Sequence, residues 1–182
     1  MPPSSTQPLL LVDGYNVIGS WFNLKKTRDR NELATARRDL VEVLINYSAF
    51  KGFNAQVVFD AHYQNTPGYQ EAHTSHLSVY YTAFSQSADT YIEKVCASLA
   101  HQLQYRSQRL IVVTSDWAQQ QTVIGYGAEW RSAQRLAGEV DIATRRGKRK
   151  HRPQKQYQGR FLINSLDAKA QQRLAQWRNG KR

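Results

Sequence analysis

Aspartates recur at or just beyond the ends of four apolar runs, a placement that can assemble a site for a divalent cation. The runs are Leu9-Leu10-Leu11-Val12 with Asp13, Ala55–Phe59 with Asp60, Leu77–Thr82 followed by Asp89, and Leu110–Thr114 with Asp116 after Ser115. Gathered carboxylates repel one another unless a cation neutralises them. Hard oxygen donors suit Mg²⁺ or Mn²⁺, and such an ion polarises phosphate and lowers the pKa of a bound water. Asp89 and Glu93 are four apart on a predicted helix and share a face, so they either form a solvated acidic patch or complete the cluster. Asn16 and Ser115 are neutral neighbours able to hold an attacking water by hydrogen bond. Taken singly, Asp13, Asp60 and Asp116 also fit ordinary turns or helix caps. The same residue at three strand ends is harder to explain by capping alone.

These residues need a sheet to bring them together. Short runs rich in Val, Ile, Leu and Tyr, separated by helical segments, predict a mainly parallel α/β sheet whose carboxyl edge collects the aspartates. The strands are read as Leu9–Val12, Ala55–Asp60, Leu77–Thr82 and Leu110–Thr114. Helices are read over Asn31–Phe50, from Ser87 or Ala88 to Tyr105, over Trp117–Ile124 and over Glu129–Thr144. Loops are read at Gly19–Arg30, with Lys25, Lys26 and Arg28, and at Ala61–Ser75. The stretch from Arg145 to Arg160 reads as irregular because Gly147, Pro153 and Gly159 interrupt it. A strand at Arg160–Ile163 and a helix capped by Asn164 or Ser165 and running to Trp177 follow. Residues 1–8 read as a disordered lead, 9–146 as the main domain, and 147–182 as a basic segment and helix packed on it.

The 182 residues suffice for about one domain with a real core. No apolar run approaches the roughly 20 residues of a membrane helix, and residues 1–8 lack the pattern of a signal peptide. The single cysteine, Cys96, falls in an apolar helical pattern and reads as buried packing, which fits a reducing cytoplasm. His73 and His76 have no acid or cysteine placed for zinc, and Gly125-Tyr126-Gly127 lacks the third glycine of a dinucleotide fingerprint. Charge is divided sharply. Residues 1–130 hold 10 Lys/Arg and 11 Asp/Glu, whereas residues 131–182 hold 15 and 3, so the whole net charge of +11 comes from the last part. Its densest tract contains Arg145, Arg146, Lys148, Arg149, Lys150, Arg152, Lys155 and Arg160 and no acid. Blocks of one sign are typical of arms that bind polyanions, and the absence of an amphipathic apolar face disfavours a membrane. Trp21, Tyr63 and Tyr126 are available to stack unpaired bases.

Leu11-Val12-Asp13-Gly14-Tyr15-Asn16-Val17-Ile18-Gly19 resembles the opening motif of the NYN domain, a branch of the PIN-like nucleases. Val58-Phe59-Asp60-Ala61, Ala88–Glu93 and Thr114-Ser115-Asp116 resemble its later acidic motifs, in the same order, and the YacP-like subgroup is the nearest in pattern. The resemblance covers residues 9–146. It implies a three-layer α/β/α fold and carboxylates that bind divalent metal for RNA hydrolysis, namely Asp13, Asp89, Asp116 and either Asp60 or Glu93. That subgroup includes a ribosome-associated mRNA endonuclease, so RNA and the ribosome are the partners implied. The basic tract is not part of the resemblance and rests on charge alone.

The leading expectation is therefore a metal-dependent endoribonuclease acting on single-stranded RNA. A catalytically lapsed RNA- or ribosome-binding protein is the alternative. A nucleotide phosphatase would use the same acids but leave the basic tract idle.

Overall fold

In the computed structural model, which describes residues 7–61, 66–103 and 108–150, the chain begins with β1 (Leu9–Asp13), α1 (Gly14–Ser20), α2 (Phe22–Asp29) and α3 (Leu33–Lys51). It continues through β2 (Asn54–Phe59), β3 (Tyr69–Thr74), β4 (Leu77–Tyr81) and α4 (Ala88–Leu103). It then forms β5 (Leu110–Val113), α5 (Trp117–Gly125), β6 (Glu129–Arg131) and α6 (Ala133–Lys150). The sheet order is β3-β4-β2-β1-β5-β6, and only β3 runs antiparallel to its neighbour.

Side-chain alternation along the strands divides the interior into two cores. Leu10, Val12, Val57, Phe59, Ile111 and Val113 face α1, α2, α3 and α6, packing with Val17, Leu40, Leu44 and Leu136. Leu11, Val58, Leu110 and Val112 face the opposite way, onto Ile92 and Cys96 of α4 and Val123 of α5. The result is three layers, α/β/α. The chain leaves β1 toward β2 across the first face and returns from β4 to β5 across the second, as right-handed crossovers in opposite directions require. Connections therefore diverge between β1 and β5, and the crevice at their carboxyl ends is the topological switch point where such sheets bind ligands.

Four local expectations are corrected. The segment Gly19–Arg30 is not a loop but the end of α1 and all of α2, two short helices anchored by Val17, Ile18 and Leu24. Each spans only about two turns, too few for a clear period. Within Ala61–Ser75 lies β3, an edge strand whose six residues are all exposed. With neither face buried it shows no apolar alternation, and its polarity protects the sheet edge. Glu129–Arg131 forms β6 rather than helix, paired with Ile111–Val113. The basic tract opens as helix, because α6 continues through Gly147 to Lys150. The readings for residues 1–6 and 151–182 lie outside the described residues. Among the described residues, no helix is long and apolar enough to cross a membrane.

Two contacts fix the layers. Arg131, buried at the end of β6, donates to Glu139 of α6 at 2.9 Å and lies over the Phe53 ring, while the Tyr47 hydroxyl of α3 donates to the same carboxylate at 2.5 Å. Burial alone would raise the Glu139 pKa. Tyr47, Arg131 and Arg135 outweigh it and hold the carboxyl below its usual range. Gly14 admits the ring of Phe59, which occupies the space a Cβ would need. Replacing Gly14 with Ala should cost about 1–3 kcal/mol in urea unfolding through overpacking. Phe59→Leu in the same chain should recover part of that loss.

Candidate active site at the carboxyl edge of the sheet

Each aspartate reaches the carboxyl edge because a strand ends there and a helix begins. Asp13 ends β1 and caps α1, accepting the Asn16 backbone N–H at 3.1 Å. Asp60 follows β2 and accepts the N–H of Ala88, the first residue of α4. Asp89 stands in the first turn of α4, with Glu93 one turn further on. Asp116 follows β5 and caps α5 through the Gln119 N–H at 2.9 Å. Capping and clustering are thus not alternatives: Asp13, Asp60 and Asp116 bind helix N–H groups while converging on one edge.

Asp13 is the buried member, only 8% exposed. Burial pushes its carboxyl up to about 7, against the Asn16 N–H, and the charges of Asp89, Asp60 and Asp116 add to the rise. Asp89, at the rim, is also held above its ordinary value, first by partial desolvation and then by Asp116, Asp60 and Glu93. The donor set is all oxygen, as a hard divalent cation prefers. Among the described residues, however, no three of His, Cys, Asp and Glu close on a single point tightly enough to hold an ion by themselves.

Asn16 and Ser115 are joined to each other. The Ser115 backbone N–H donates to Asn16 Oδ1 at 2.7 Å, and Ser115 Oγ accepts the Ala133 N–H at 3.3 Å where α6 starts. Asn16 therefore spends its carbonyl oxygen in bridging β1 to β5 and keeps its amide nitrogen as a donor.

The cations are placed differently. Lys25 and Lys26 are exposed on α2, and Arg28 folds onto Asp29 at 2.8 Å. Arg145 pairs with Asp141 at 2.8 Å and Arg146 is exposed on α6. Because α6 starts against Ser115, Arg145 lies twelve residues, or about 18 Å of helix, away from the carboxyl edge. The side chains of Lys148, Arg149 and Lys150, and all of Arg152 and Lys155, lie outside the described residues.

Of the proposed base-stacking aromatics, Trp21 is committed elsewhere. It packs on the core and donates its indole N–H to the Ala133 carbonyl at 2.8 Å. Tyr126 is exposed but at the far end of α5 from Asp116, and Tyr63 lies outside the described residues. Sequence reasoning missed Trp117, the first residue of α5, 72% exposed beside Asp116. A tryptophan directly following the acid was the available signal. It also missed Arg37 of α3, whose guanidinium lies 3.4 Å from the Tyr15 hydroxyl; one of two adjacent arginines in a mixed-charge helix gave no signal. Cys96 is buried as expected, its thiol pushed up to about 11 chiefly by burial.

A three-layer α/β protein with acids at the switch point of a parallel sheet has the architecture of a nuclease-like domain. The chain belongs to the YacP-like NYN domain family, whose model matches residues 10–179. It is 37% identical over 145 residues to the uncharacterized protein YacP of Bacillus subtilis (strain 168), covering 79% of this chain and 81% of that one. The crystal structure of Rae1 (YacP) from Bacillus subtilis superposes with a TM-score of 0.66 at 31% identity over 96% of each chain. A point mutant of that protein gives a TM-score of 0.65 at 34% identity, over 79% of this chain and 80% of that one.

The raised Asp13 pKa sets a stability profile for the metal-free protein. A carboxyl with a folded pKa near 7 and an unfolded one near 3.9 imposes no penalty below the lower value and its full penalty above the higher one. Asn caps helices as well as Asp. In EDTA, Asp13→Asn should therefore raise the melting temperature at pH 8, by up to about 4 kcal/mol of stability, and the gain should vanish near pH 4.

Proposed function

We propose that this protein is a cytoplasmic, divalent-metal-dependent endoribonuclease that hydrolyses single-stranded RNA, with messenger RNA at the ribosome as its working substrate. The carrying observation is the convergence of Asp13, Asp60, Asp89 and Asp116 at the switch point, where burial and mutual repulsion raise the carboxyls of Asp13 and Asp89. Membership in a nuclease-like family supports the same reading and favours RNA.

Asp13, Asp60, Asp89 and Asp116 are the residues that would hold Mg²⁺ or Mn²⁺, with Glu93 adding charge behind Asp89. An all-oxygen donor set suits Mg²⁺, which keeps several of its waters and takes only one or two carboxylates directly. When bound, the ion neutralises phosphate and acidifies a water for in-line attack. Asn16 and Ser115 act as positioning residues, fixing the ends of β1 and β5 and so the spacing of Asp13 from Asp116. The exposed rings of Trp117 and Phe84 flank this edge and offer faces to unpaired bases. Lys25 and Lys26 of α2, and the basic end of α6 with the tract beyond it, neutralise backbone phosphates away from the reacting one.

RNA binding without catalysis is the second reading, favoured by the separation of the basic end of α6 from the acids. A labelled mRNA incubated with Mn²⁺ or EDTA, with and without translating ribosomes, separates the two. Wild type should cut only with metal, and Asp13→Asn should cut at least about a hundredfold more slowly, the loss of several kcal/mol of transition-state stabilisation. Binding by both proteins with no cutting in any lane would establish the second reading instead. Arg145→Ala with Arg146→Ala should weaken RNA binding evenly across sequences and flatten its salt dependence by about one to two phosphate contacts. Cleavage of a short oligonucleotide should be nearly unchanged in that variant.

A further inference from the structure

The acids occupy only part of the carboxyl edge. Beside them a row of aromatic rings crosses three strands. Phe59 ends β2 in register with Tyr81 of β4, and Tyr81 is in register with Tyr69 of β3. The rings follow that register: Phe59 and Tyr81 stack at 5.9 Å, Tyr81 and Tyr69 at 4.9 Å, and Tyr15 tilts against Phe59 at 5.1 Å. Between this row and α3 lies a cavity of about 340 Å³ whose walls include Tyr15, Arg37, Asp60, Thr66, Tyr69 and Tyr81. That volume is at the small end of ligand sites, roughly 300–1,000 Å³. It suits one ring system with a sugar rather than a run of nucleotides.

We propose that this pocket seats one unpaired nucleobase of the RNA strand beside Asp60 and thereby selects the nucleotide that lies next to the cut. The inference rests on the nuclease reading and extends it to a specificity subsite. Aromatic faces with a guanidinium are the chemistry that recognises splayed bases. Arg37 is the only cation in the cavity wall among the described residues, placed to meet a phosphate or a base carbonyl. Thr66 adds a polar residue to the same wall. Asp60 belongs to both places. It lines the cavity and belongs to the acid cluster, so a strand whose phosphate reaches the acids has an adjoining base at the pocket mouth. A small free anion fits less well, because the Asp60 carboxylate repels it.

Tyr69 is the residue to change, since it lies on the edge strand and is 46% exposed. Equilibrium anisotropy of the full chain in EDTA at low salt, with a short single-stranded RNA carrying one abasic site at successive positions, reads the pocket without requiring turnover. Wild type should lose about five- to 150-fold in affinity at one position, the effect of one stacked base. Tyr69→Ala should lose a similar factor on intact RNA and become indifferent to the abasic site at that position, while Tyr69→Phe should behave as wild type. A flat abasic scan, no binding by wild type, or a Tyr69→Ala protein still sensitive at the same position would each overturn the proposal. Position-dependent binding without cleavage would count against the nuclease reading alone; cleavage with a flat scan would count against the pocket alone.

Discussion

The Asp13 carboxyl is deprived of water at the end of the central strand, and a short circuit of hydrogen bonds holds it there. Its oxygen accepts the Asn16 N–H, Asn16 Oδ1 accepts the Ser115 N–H, and Ser115 Oγ accepts the Ala133 N–H. The Trp21 indole N–H closes the circuit on the Ala133 carbonyl. Four segments are tied by it: the end of β1, the turn after β5, the start of α6 and the junction of α1 with α2. Asp13 and Asp116 keep their spacing because these segments cannot drift separately. Gly14 contributes by letting Phe59 pack under the turn that starts α1.

This arrangement opposes the folding free energy locally. A buried carboxylate surrounded by others is unfavourable unless its charge is compensated. Helix N-termini supply part of that compensation, since α1, α4 and α5 each point their unsatisfied N–H groups and positive dipole end at an aspartate. The rest of the domain is locally consistent, with two apolar cores and the Arg131–Glu139–Tyr47 cluster binding β6, α6 and α3. Concentrating inconsistency at one place is what a functional site in an otherwise well-determined fold looks like.

Opposite charges are kept apart along α6. Its first turn touches the acidic edge through Ser115, and its basic residues begin about 18 Å further along the axis. A polyanion must extend across the surface to meet both. The helical start of the basic tract also fixes the direction in which Arg145 and Arg146 leave the domain. Leu136, Val140 and Ala143 bury one stripe of the helix and leave those two arginines exposed.

The sequence by itself determined the sheet strands with apolar interiors, the long helices α3 and α4, the family resemblance and the set of candidate acids. These are written in local period and in residue type at strand ends, which a single chain displays directly. It did not determine β3, β6 or the helices between Gly14 and Asp29. Each is short, and β3 buries neither face, so its formation follows from pairing with β4 rather than from its own pattern. Only the tertiary structure decided which acid is buried, that Asn16 and Ser115 bind each other, that Trp21 is a structural residue while Trp117 is exposed, and that Arg37 stands beside Tyr15. Those facts depend on contacts between residues about 20 to 110 positions apart, and local spacing contains no record of such contacts.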